Sequence, residues 1–320
     1  MFNFKRIFTV VCALALAVAL FTAAAAEGAA PRVVALKGPT AMGLVKLMED
    51  DREAGAYDFT IAAAIDEVTP MLVKGETERA CVPANLAAVL YNNTEGAVRV
   101  LAVNTLGVLY IVEKGDTVQS AADLKGKTIF ASGKGATPEY ALDYILRGNG
   151  IDPEADVTIE WKSEHAECLN ALMAADGGIA MLPQPFVTTA MMKAEGLRVA
   201  LDLTAEWDAL GADSSMITGV AVARSAFIEA QPDAVNAFLD RYAESVAWVN
   251  ANTEAAAALV GAFDIVPEPV AQKALPACNI AFIEGEELQQ KLSGYLQVLF
   301  DAEPKAVGGK MPDADFYYSR

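Results

Sequence analysis

The chain contains few of the residues that enzymes use for proton transfer and metal binding. Its 320 residues include one histidine and four cysteines. The C-x-x-C, H-E-x-x-H, G-x-S-x-G and EF-hand patterns are all missing. A serine or cysteine nucleophile needs a partner base, and His165 is the sole histidine that could serve. Because it lies among the acids Glu164 and Glu167, His165 is expected to be a solvated helix residue. Lysine and carboxylate mechanisms stay open, but the composition favours binding over catalysis and indicates no cofactor and no metal.

Basic residues are also scarce. The chain has 24 lysines and arginines against 42 acids, a formal net charge of −18, and the acids are spread along its whole length. Such a surface repels nucleic acid and anionic lipid and keeps a protein soluble. Apolar residues make up 54% of the chain and charged residues 21%, which is enough for a folded core. The length predicts one large domain or two ordinary ones.

A single long apolar run occurs, at the N-terminus. Lys5 and Arg6 precede the apolar segment 7–21, and small residues follow at 22–26. This order is typical of a signal peptide, so residues 1–26 are predicted to be removed and the protein to be exported to the periplasm. A transmembrane anchor is the alternative, but the run is short for a span. Cys12 lies inside the run rather than after it, which argues against a lipid anchor and predicts a protein that does not span the membrane after cleavage.

Three cysteines remain after cleavage, at Cys81, Cys168 and Cys278. Their wide spacing indicates neither a redox motif nor a zinc site. Each is expected to pack as a small apolar residue, with one disulfide left open as an alternative.

Two segments share a strand, glycine loop and helix pattern. In the second, residues 128–131 form a buried strand candidate, Ser132 to Gly135 form a bare loop, and Thr137 stands where a helix N-cap is expected. In the first, a strand candidate at 32–36 is followed by a turn and by Thr40 as the capping residue. A helix that begins after such a loop presents unpaired N–H groups to an anion or a polar acceptor. Neither the P-loop nor the dinucleotide fingerprint fits, so a nucleotide ligand is not indicated.

Strand and helix patterns alternate along the rest of the chain, which predicts an α/β fold with mainly parallel sheets. One helix is expected to begin at Pro70 and end at Lys74. Ligands of open α/β sheets lie beyond the carboxyl ends of strands. The loops at 37–40, 83–85, 132–137 and 183–185 all follow strands and are therefore candidates for one site.

The apolar segment 97–113 is too long for one ordinary strand. Asn104 to Gly107 interrupt it, so we interpret it as a strand that leaves one lobe, a hinge, and a strand that enters a second lobe. A plain β-hairpin with Asn104 and Thr105 as its turn is the alternative. Segment 216–224, with Gly219 inside it, is the expected return crossing.

The ordered series of motifs resembles the nitrate/sulfonate/taurine (NitT/TauT) type of substrate-binding proteins of ABC transporters. No single motif is specific, but the series covers essentially the whole mature chain. The motifs are Gly38-Pro39-Thr40, Val82-Pro83-Ala84-Asn85-Leu86, Asp123-Leu124-Lys125-Gly126-Lys127, Ser132-Gly133-x-Gly135-x-Thr137-Pro138-Glu139, Leu182-Pro183-Gln184-Pro185, Trp248-Val-Asn-Ala-Asn252 and Gly308-Gly-Lys-Met-Pro-Asp-x-x-Phe-Tyr-Tyr318.

The resemblance implies a two-lobed type II periplasmic-binding-protein fold with two crossover hinge strands and a ligand captured in the cleft between the lobes. Residues 31–106 with 217–320 would form lobe 1, and residues 107–216 lobe 2. It also implies a monomer that binds a small molecule and delivers it to an ABC permease subunit. The ligand-binding residues carried over are Thr40, Ala41, Pro83, Asn85, Ser132, Gly133, Lys134, Gly135, Thr137 and Gln184, and the hinge residues are Thr105, Gly107, Thr218 and Gly219.

The ligand class stays open within a polar or anionic range that includes nitrate, sulfonates, taurine, aromatic acids and pyrimidine precursors of thiamine. The four loops contain no arginine, which argues against a bidentate arginine clamp. An enzyme of the pyrimidine-synthesising kind and a ligand-sensing module that reports to a membrane kinase are the alternative functions. The export signal and the single histidine argue against the enzyme.

Overall fold

Strands and helices alternate along the chain, as the sequence predicts. The computed structural model describes residues 30–211 and 214–320. The strands are β1 (Arg32–Leu36), β2 (Asp58–Ala62), β3 (Arg79–Pro83), β4 (Val98–Leu106), β5 (Leu109–Lys114), β6 (Thr128–Ser132), β7 (Thr158–Lys162), β8 (Ile179–Pro183), β9 (Leu197–Asp202), β10 (Ile217–Arg224) and β11 (Ile280–Ile283). The α-helices are α1 (Pro39–Met42), α2 (Val45–Asp50), α3 (Ile65–Lys74), α4 (Ala84–Asn93), α5 (Thr137–Gly148), α6 (His165–Ala174), α7 (Phe186–Lys193), α8 (Leu203–Asp208), α9 (Ser225–Ala230), α10 (Pro232–Ala251), α11 (Thr253–Ala262), α12 (Glu268–Ala274) and α13 (Gly285–Ala302).

The predicted signal peptide at 1–26, with Cys12, lies outside the described residues and stays a prediction. Within the part of the chain that is described, no helix combines the length and the apolar character needed to cross a bilayer. Cys81, Cys168 and Cys278 are buried and free. The expectation that they pack as small apolar residues is therefore confirmed, and no two of these three cysteines form a disulfide.

Two sheets organise the fold, and they repeat one topology. The first has the strand order β11-β4-β10-β3-β1-β2, and the second has the order β7-β6-β8-β5-β9. Apart from β11, each sheet contains three adjacent parallel strands (β2-β1-β3 and β7-β6-β8) followed by a reversed strand, β10 or β5. We call the part built on the first sheet the first lobe and the part built on the second sheet the second lobe. The fold is the predicted two-lobed α/β architecture.

The segment 97–113 is a crossing between lobes and not a hairpin. Its two strands, β4 and β5, belong to different sheets, with Gly107 and Val108 between them. The return crossing is β10, which pairs antiparallel with β3 and β4 in the first sheet. The hinge interpretation of both segments therefore agrees with the strand pairing, whereas the exact lobe boundaries at 106/107 and 216/217 stay a prediction.

The lobes also touch through two flanking contacts. On one side, α13 packs against α5 of the second lobe and against α4 and β4 of the first. On the other, α12 packs against α7, and the chain after α12 is bonded to the crossing. Asn279 donates from its side-chain amide to the Gly107 carbonyl at 2.7 Å, and the Tyr110 hydroxyl donates to the Ala277 carbonyl at 2.7 Å. Helix α13 is thus the apolar flank of the space between the lobes. Helix α12 and the hydrogen-bonded residues 277–279 are its polar flank.

Three local expectations were wrong. Helix α3 begins at Ile65 rather than at Pro70, which lies inside it, because burial of Val68 and Leu72 rewards a longer helix. Thr137 is the first helical residue of α5 and Ala136 is its N-cap. Thr40 likewise lies inside α1, which starts after Gly38 at a φ of 123°. In both places the glycine loop turns the chain into the helix before the threonine is reached.

Candidate functional site

The geometry of the crossing brings the carboxyl edges of the two sheets together. Strand β4 runs parallel to β1 and β3, so its end at Leu106 lies at the same edge as the loops at 37–40 and 83–85. Strand β5 runs antiparallel to β8, so its start at Leu109 lies at the carboxyl edge of β6 and β8. Along this crossing, the two edges are therefore separated by just two residues, Gly107 and Val108. This is where an open α/β sheet places its ligand.

On the first lobe, Thr40 is part of a tight cluster with the hinge residues. It is 5% exposed, its hydroxyl donates to the Leu36 carbonyl at 2.7 Å, and its own carbonyl accepts from the side-chain amide of Asn104 at 3.3 Å. Thr105 donates to the other end of the Asn104 amide at 3.1 Å. Gly219 has no room for a side chain, because a Cβ there would lie 2.4 Å from the Thr40 methyl carbon. The sequence did not single out Asn104 as a site residue, although it joins loop 37–40 to the crossing.

The other first-lobe candidates adjoin this cluster. Ala41 is fully buried, so it can offer a ligand only its backbone. Pro83 is paired in register with Gly219. Asn85, the second residue of α4, is half-buried, as is Thr218 on β10. Asn85 and Thr218 are therefore the first-lobe candidates whose side chains stay partly exposed.

On the second lobe, part of the loop 132–137 satisfies its own N–H groups. Gly133 and Gly135 adopt left-handed backbone conformations, with φ of 89° and 73°. The Gly135 N–H donates to the Glu139 carboxylate at 2.5 Å, and the Ala136 N–H donates to the Gly133 carbonyl at 3.1 Å. Among residues 135–138, Pro138 has no backbone N–H, so the Thr137 N–H is the one that these contacts leave for a ligand. A ligand anion at Gly135 would have to displace Glu139.

Lys134 lines an outer groove of about 540 Å³ on the second lobe. That groove is also lined by Glu139, Asp143 and Trp161. Burial, with repulsion from Glu139, raises the pKa of Asp143. Lys134 therefore faces carboxylates of its own chain. Thr137 faces the buried phenol of Tyr295 on α13, which links this loop to the apolar flank.

Gln184 is anchored at the crossing and oriented by its neighbours. Its backbone N–H donates to the Val108 carbonyl at 2.8 Å. Its side-chain oxygen accepts from the Thr188 hydroxyl at 2.9 Å and from the Thr188 N–H at 3.3 Å. Because the oxygen is occupied, the side-chain NH2 group, with its two donors, is the part of Gln184 that remains for a ligand.

Ser132 is bonded to the sole histidine of the chain. Its Oγ lies 2.6 Å from Nδ1 of His165, and its side chain is also beside the Cys168 thiol. Ser132 is 4% exposed and His165 is half-buried, so the expectation of a solvated histidine was wrong. Burial lowers the pKa of His165, and the Glu164 carboxylate only partly opposes this. Sequence spacing could not reveal the contact, because residues 33 positions apart meet only through the parallel pairing of β6 and β7.

The site offers little for metal or thiol chemistry. Within residues 30–211 and 214–320, no group of histidine, cysteine and acid residues is placed to hold a metal ion. Burial raises the pKa of Cys81 and of Cys278 to about 12. Those thiols are therefore protonated at neutral pH, and a protonated thiol is a weak nucleophile.

Solved structures share this fold over nearly the whole chain. An ABC transporter protein from Parabacteroides distasonis matches with a TM-score of 0.77 and 22% identity, covering 91% of this chain and 99% of that one. The periplasmic aliphatic sulphonate binding protein SsuA from Escherichia coli matches with a TM-score of 0.72 and 17% identity, covering 92% and 93%. A mutant of DszB, in complex with biphenyl-2-sulfinic acid, matches with a TM-score of 0.61 and 14% identity, covering 89% and 97%. At these identities the likeness establishes the fold.

A search of curated proteins found no match. The family model described as NMT1/THI5 like matches residues 68–256, which is more than half of the chain. The chain belongs to the NMT1/THI5-like family.

Proposed function

We propose that the protein is an extracytoplasmic solute-binding protein that captures a small polar or anionic molecule between its lobes and delivers it to an ABC permease. The observation that carries this proposal is the junction of the two carboxyl edges at Gly107 and Val108, where polar residues of both lobes converge. Family membership supports solute binding. The names of the Parabacteroides distasonis and Escherichia coli neighbours point to ABC transport and to sulfonates.

The binding groups in this proposal are amides and hydroxyls rather than charges. The side-chain amides of Asn85 and Gln184 approach from opposite lobes, and the loop from Ser132 to Thr137 supplies hydroxyl groups and the Thr137 N–H. Thr40, Ala41, Pro83, Gly133, Lys134 and Gly135 complete the proposed site, with Thr105, Gly107, Thr218 and Gly219 as its hinge. Neutral donors that converge on one group suit sulfonate, nitrate or carboxylate oxygens.

The proposal includes the absence of catalysis. The contact between Ser132 and His165 is the one observation that favours an enzyme, because it joins a hydroxyl to a base. Among the described residues, however, no carboxylate is hydrogen-bonded to His165. The proposed location is periplasmic, after removal of residues 1–26, and the proposed state is monomeric.

Calorimetric titration of the mature protein with ethanesulfonate, taurine, nitrate, benzoate and a hydroxymethylpyrimidine tests the proposal. A ligand present at 100 times its Kd adds about 2.7 kcal/mol to the free energy of unfolding, so a thermal-shift screen can select the compound. Gln184→Ala should weaken binding about tenfold, as expected for the loss of one or two buried hydrogen bonds. Gln289→Ala, on an exposed face of α13, is the matched control and should bind normally. If none of the five compounds binds, the proposed ligand class is wrong. If Gln184→Ala binds the selected compound as tightly as Gln289→Ala does, the proposed site is wrong.

A further inference from the structure

The contact between Ser132 and His165 is not required by the fold, because the first lobe is built without it. Ser132 is the last residue of β6, and Leu36 is the last residue of the matching strand β1. His165 is the first residue of α6, and Ile65 is the first residue of the matching helix α3. Strand pairing confirms the match, since Leu36 is in register with Ala62 and Ser132 with Lys162. Where the second lobe has a serine and a histidine, the first has two aliphatic residues.

The surroundings of His165 favour the neutral ring at pH 7. The residue is half-buried, its ring centroid lies 5.6 Å from that of Phe186, and it occupies the first position of α6, where the helix dipole opposes a positive charge. The charged groups around the pair are Glu164 and Glu167 at the start of α6 and Lys162 at the end of β7. Strand β6 contributes the Ser132 hydroxyl, α7 the Phe186 ring and α6 the buried Cys168 thiol, all of them uncharged at neutral pH. Burial outweighs the attraction of Glu164, so the pKa of His165 is lowered.

The protonation state of the ring decides which way the Ser132 hydroxyl points. When the neutral ring carries its proton on Nε2, Nδ1 is an acceptor and the serine O–H is used to reach it. When the ring is protonated, Nδ1–H becomes the donor, and the serine O–H is released to donate elsewhere. Ser132 directly precedes the loop from Gly133 to Thr137 at the crossing edge, so the released hydroxyl is next to the proposed ligand site.

We propose that His165 is a positioning residue of the ligand site, and that its protonation turns the Ser132 hydroxyl into a donor for an acidic group of the bound solute. This inference rests on the proposed function. A bound anion also stabilises the imidazolium, so binding takes up a proton. Affinity for an anion therefore rises as the pH falls from the pKa of His165 in the complex to its lower pKa in the free protein, and it is flat outside that interval. Each unit between the two pKa values is a tenfold change in affinity.

The sole histidine makes the test direct. In mature protein labelled with 15N-histidine, the two ring nitrogen shifts report the tautomer and the pKa of His165 without overlap. We expect the Nε2–H tautomer at pH 7.5, with Nδ1 as the acceptor. Ser132→Ala should lower the pKa, because the hydrogen bond that it removes is stronger when the charged ring donates through Nδ1–H than when the neutral ring accepts. Ser163→Ala, at an exposed serine nearby, should leave both ring shifts unchanged. An Nδ1–H tautomer, or a pKa that Ser132→Ala does not move, overturns the inference.

A second measurement addresses the ligand. The affinity of the wild type for ethanesulfonate, titrated between pH 4.5 and 8, should increase at least tenfold toward low pH, and in His165→Gln it should be independent of pH. Ethanesulfonate binding that is equally flat in both proteins contradicts the role of His165. If ethanesulfonate does not bind at any pH, the sulfonate class under the proposed function fails, and the tautomer and the Ser132→Ala result still decide whether His165 orients the serine.

Discussion

The two lobes bury opposite charges at the same corner of their repeated sheets. In the first lobe, Arg79 on β3 is in register with Ala223 on β10, and in the second, Ile179 on β8 is in register with Glu113 on β5. Arg79 is 1% exposed and Glu113 is 0% exposed. Strand β8 is the counterpart of β3, and β5 is the counterpart of β10. The first lobe therefore buries a positive charge on one strand of the pair, and the second lobe buries a negative charge on the other strand.

The two charges are accommodated by different means. The Arg79 guanidinium lies 4.6 Å from the ring centroid of Phe227 and 4.8 Å from that of Phe238. Among the described residues, its only hydrogen bond is from Nη2 to the Ala234 carbonyl, at 3.1 Å. Burial lowers the pKa of Arg79 to about 10. Glu113, by contrast, is surrounded by donors, because it accepts from the N–H and hydroxyl of Thr117, from the Val118 N–H and from Arg198 at 2.6 Å.

The comparison shows that one backbone topology tolerates a charge held by aromatic faces and a charge held by hydrogen bonds. The second arrangement ties β5, the loop after it and β9 together through one carboxylate. The Arg79 side chain packs between the aromatic rings of helices α9 and α10. Removing the two charges should therefore have unequal effects on the free energy of unfolding.

Trp207 tests how far the second lobe depends on its contact with α13, the apolar flank. It is fully buried on α8, its ring centroid lies 4.1 Å from that of Tyr144 and 5.6 Å from that of Tyr295, and its Nε1 donates to Ser214 at 3.0 Å. Trp207→Ala should lower the free energy of unfolding by roughly 3–5 kcal/mol in urea denaturation. Trp161→Ala, at the rim of the outer groove, is the control. Equal losses in the two variants would show that α13 does not support the second lobe.

Glu113→Gln tests the hydrogen-bonded charge. The variant keeps the shape but weakens four bonds, so the free energy of unfolding should fall by roughly 1–3 kcal/mol at pH 7. Burial raises the pKa of Glu113, but the bonds from Thr117, Val118 and Arg198 outweigh it and leave that pKa below the usual value. A carboxylate with a lowered pKa in the folded state contributes stability above its unfolded value, near 4.5, and this contribution is lost as the pH falls through the folded value.

Urea denaturation of the wild type and of Glu113→Gln at several pH values checks that sign. The stability gap between the two proteins should be widest near pH 7 and should narrow below about pH 4.5. A gap that grows as the solution is acidified would mean that Glu113 is protonated in the native protein.

Exchanging the second lobe's polar contact for the first lobe's aliphatic one tests whether Ser132 and His165 serve the fold or the ligand. Ser132→Leu alone leaves the His165 ring without its bond and should cost about 1–3 kcal/mol of unfolding free energy. The double variant Ser132→Leu with His165→Ile should recover most of that loss, because replacing both partners of a buried bond with apolar groups is close to neutral. It should also lose solute binding. A double variant that binds normally would assign the contact to the fold alone.

Arg79→Met should have the smallest effect. A buried cation with two donors lacking partners among the described residues gives little net stability, and a flexible apolar side chain keeps the contacts with the aromatic rings. We expect the free energy of unfolding to change by less than about 1 kcal/mol. A loss as large as that of Glu113→Gln would show that the aromatic faces stabilise Arg79 as well as hydrogen bonds stabilise Glu113.

Much of this architecture could be predicted from the sequence. The break at Gly107, the four loops after strands and the alternation of strands and helices depend on local patterns. The start of α3 could not be predicted, because burial of Val68 and Leu72 overrides the preference of Pro70 for a helix start. Helix α8 was missed, because its six residues are too few for a periodic pattern and its core residue, Trp207, packs against distant α13.

The candidate site was less predictable than the fold. Loop positions follow from strand ends, but the partners of each polar group depend on packing between distant elements. The Glu139 carboxylate, for example, accepts from the Gly135 N–H. Gln184 is one of the predicted ligand-binding residues, and its side-chain oxygen is occupied by the Thr188 hydroxyl. Both contacts narrow the set of donors left for a ligand, and neither follows from composition or spacing.

The most direct test of the central claim is a crystal structure of the mature protein with the panel compound that gives the largest thermal shift. The account predicts electron density for the compound between the loops at 37–41 and 132–137, within hydrogen-bonding distance of the Asn85 and Gln184 amides. Density in the outer groove beside Lys134 and Trp161, with the space at Gly107 and Val108 unchanged, would contradict it.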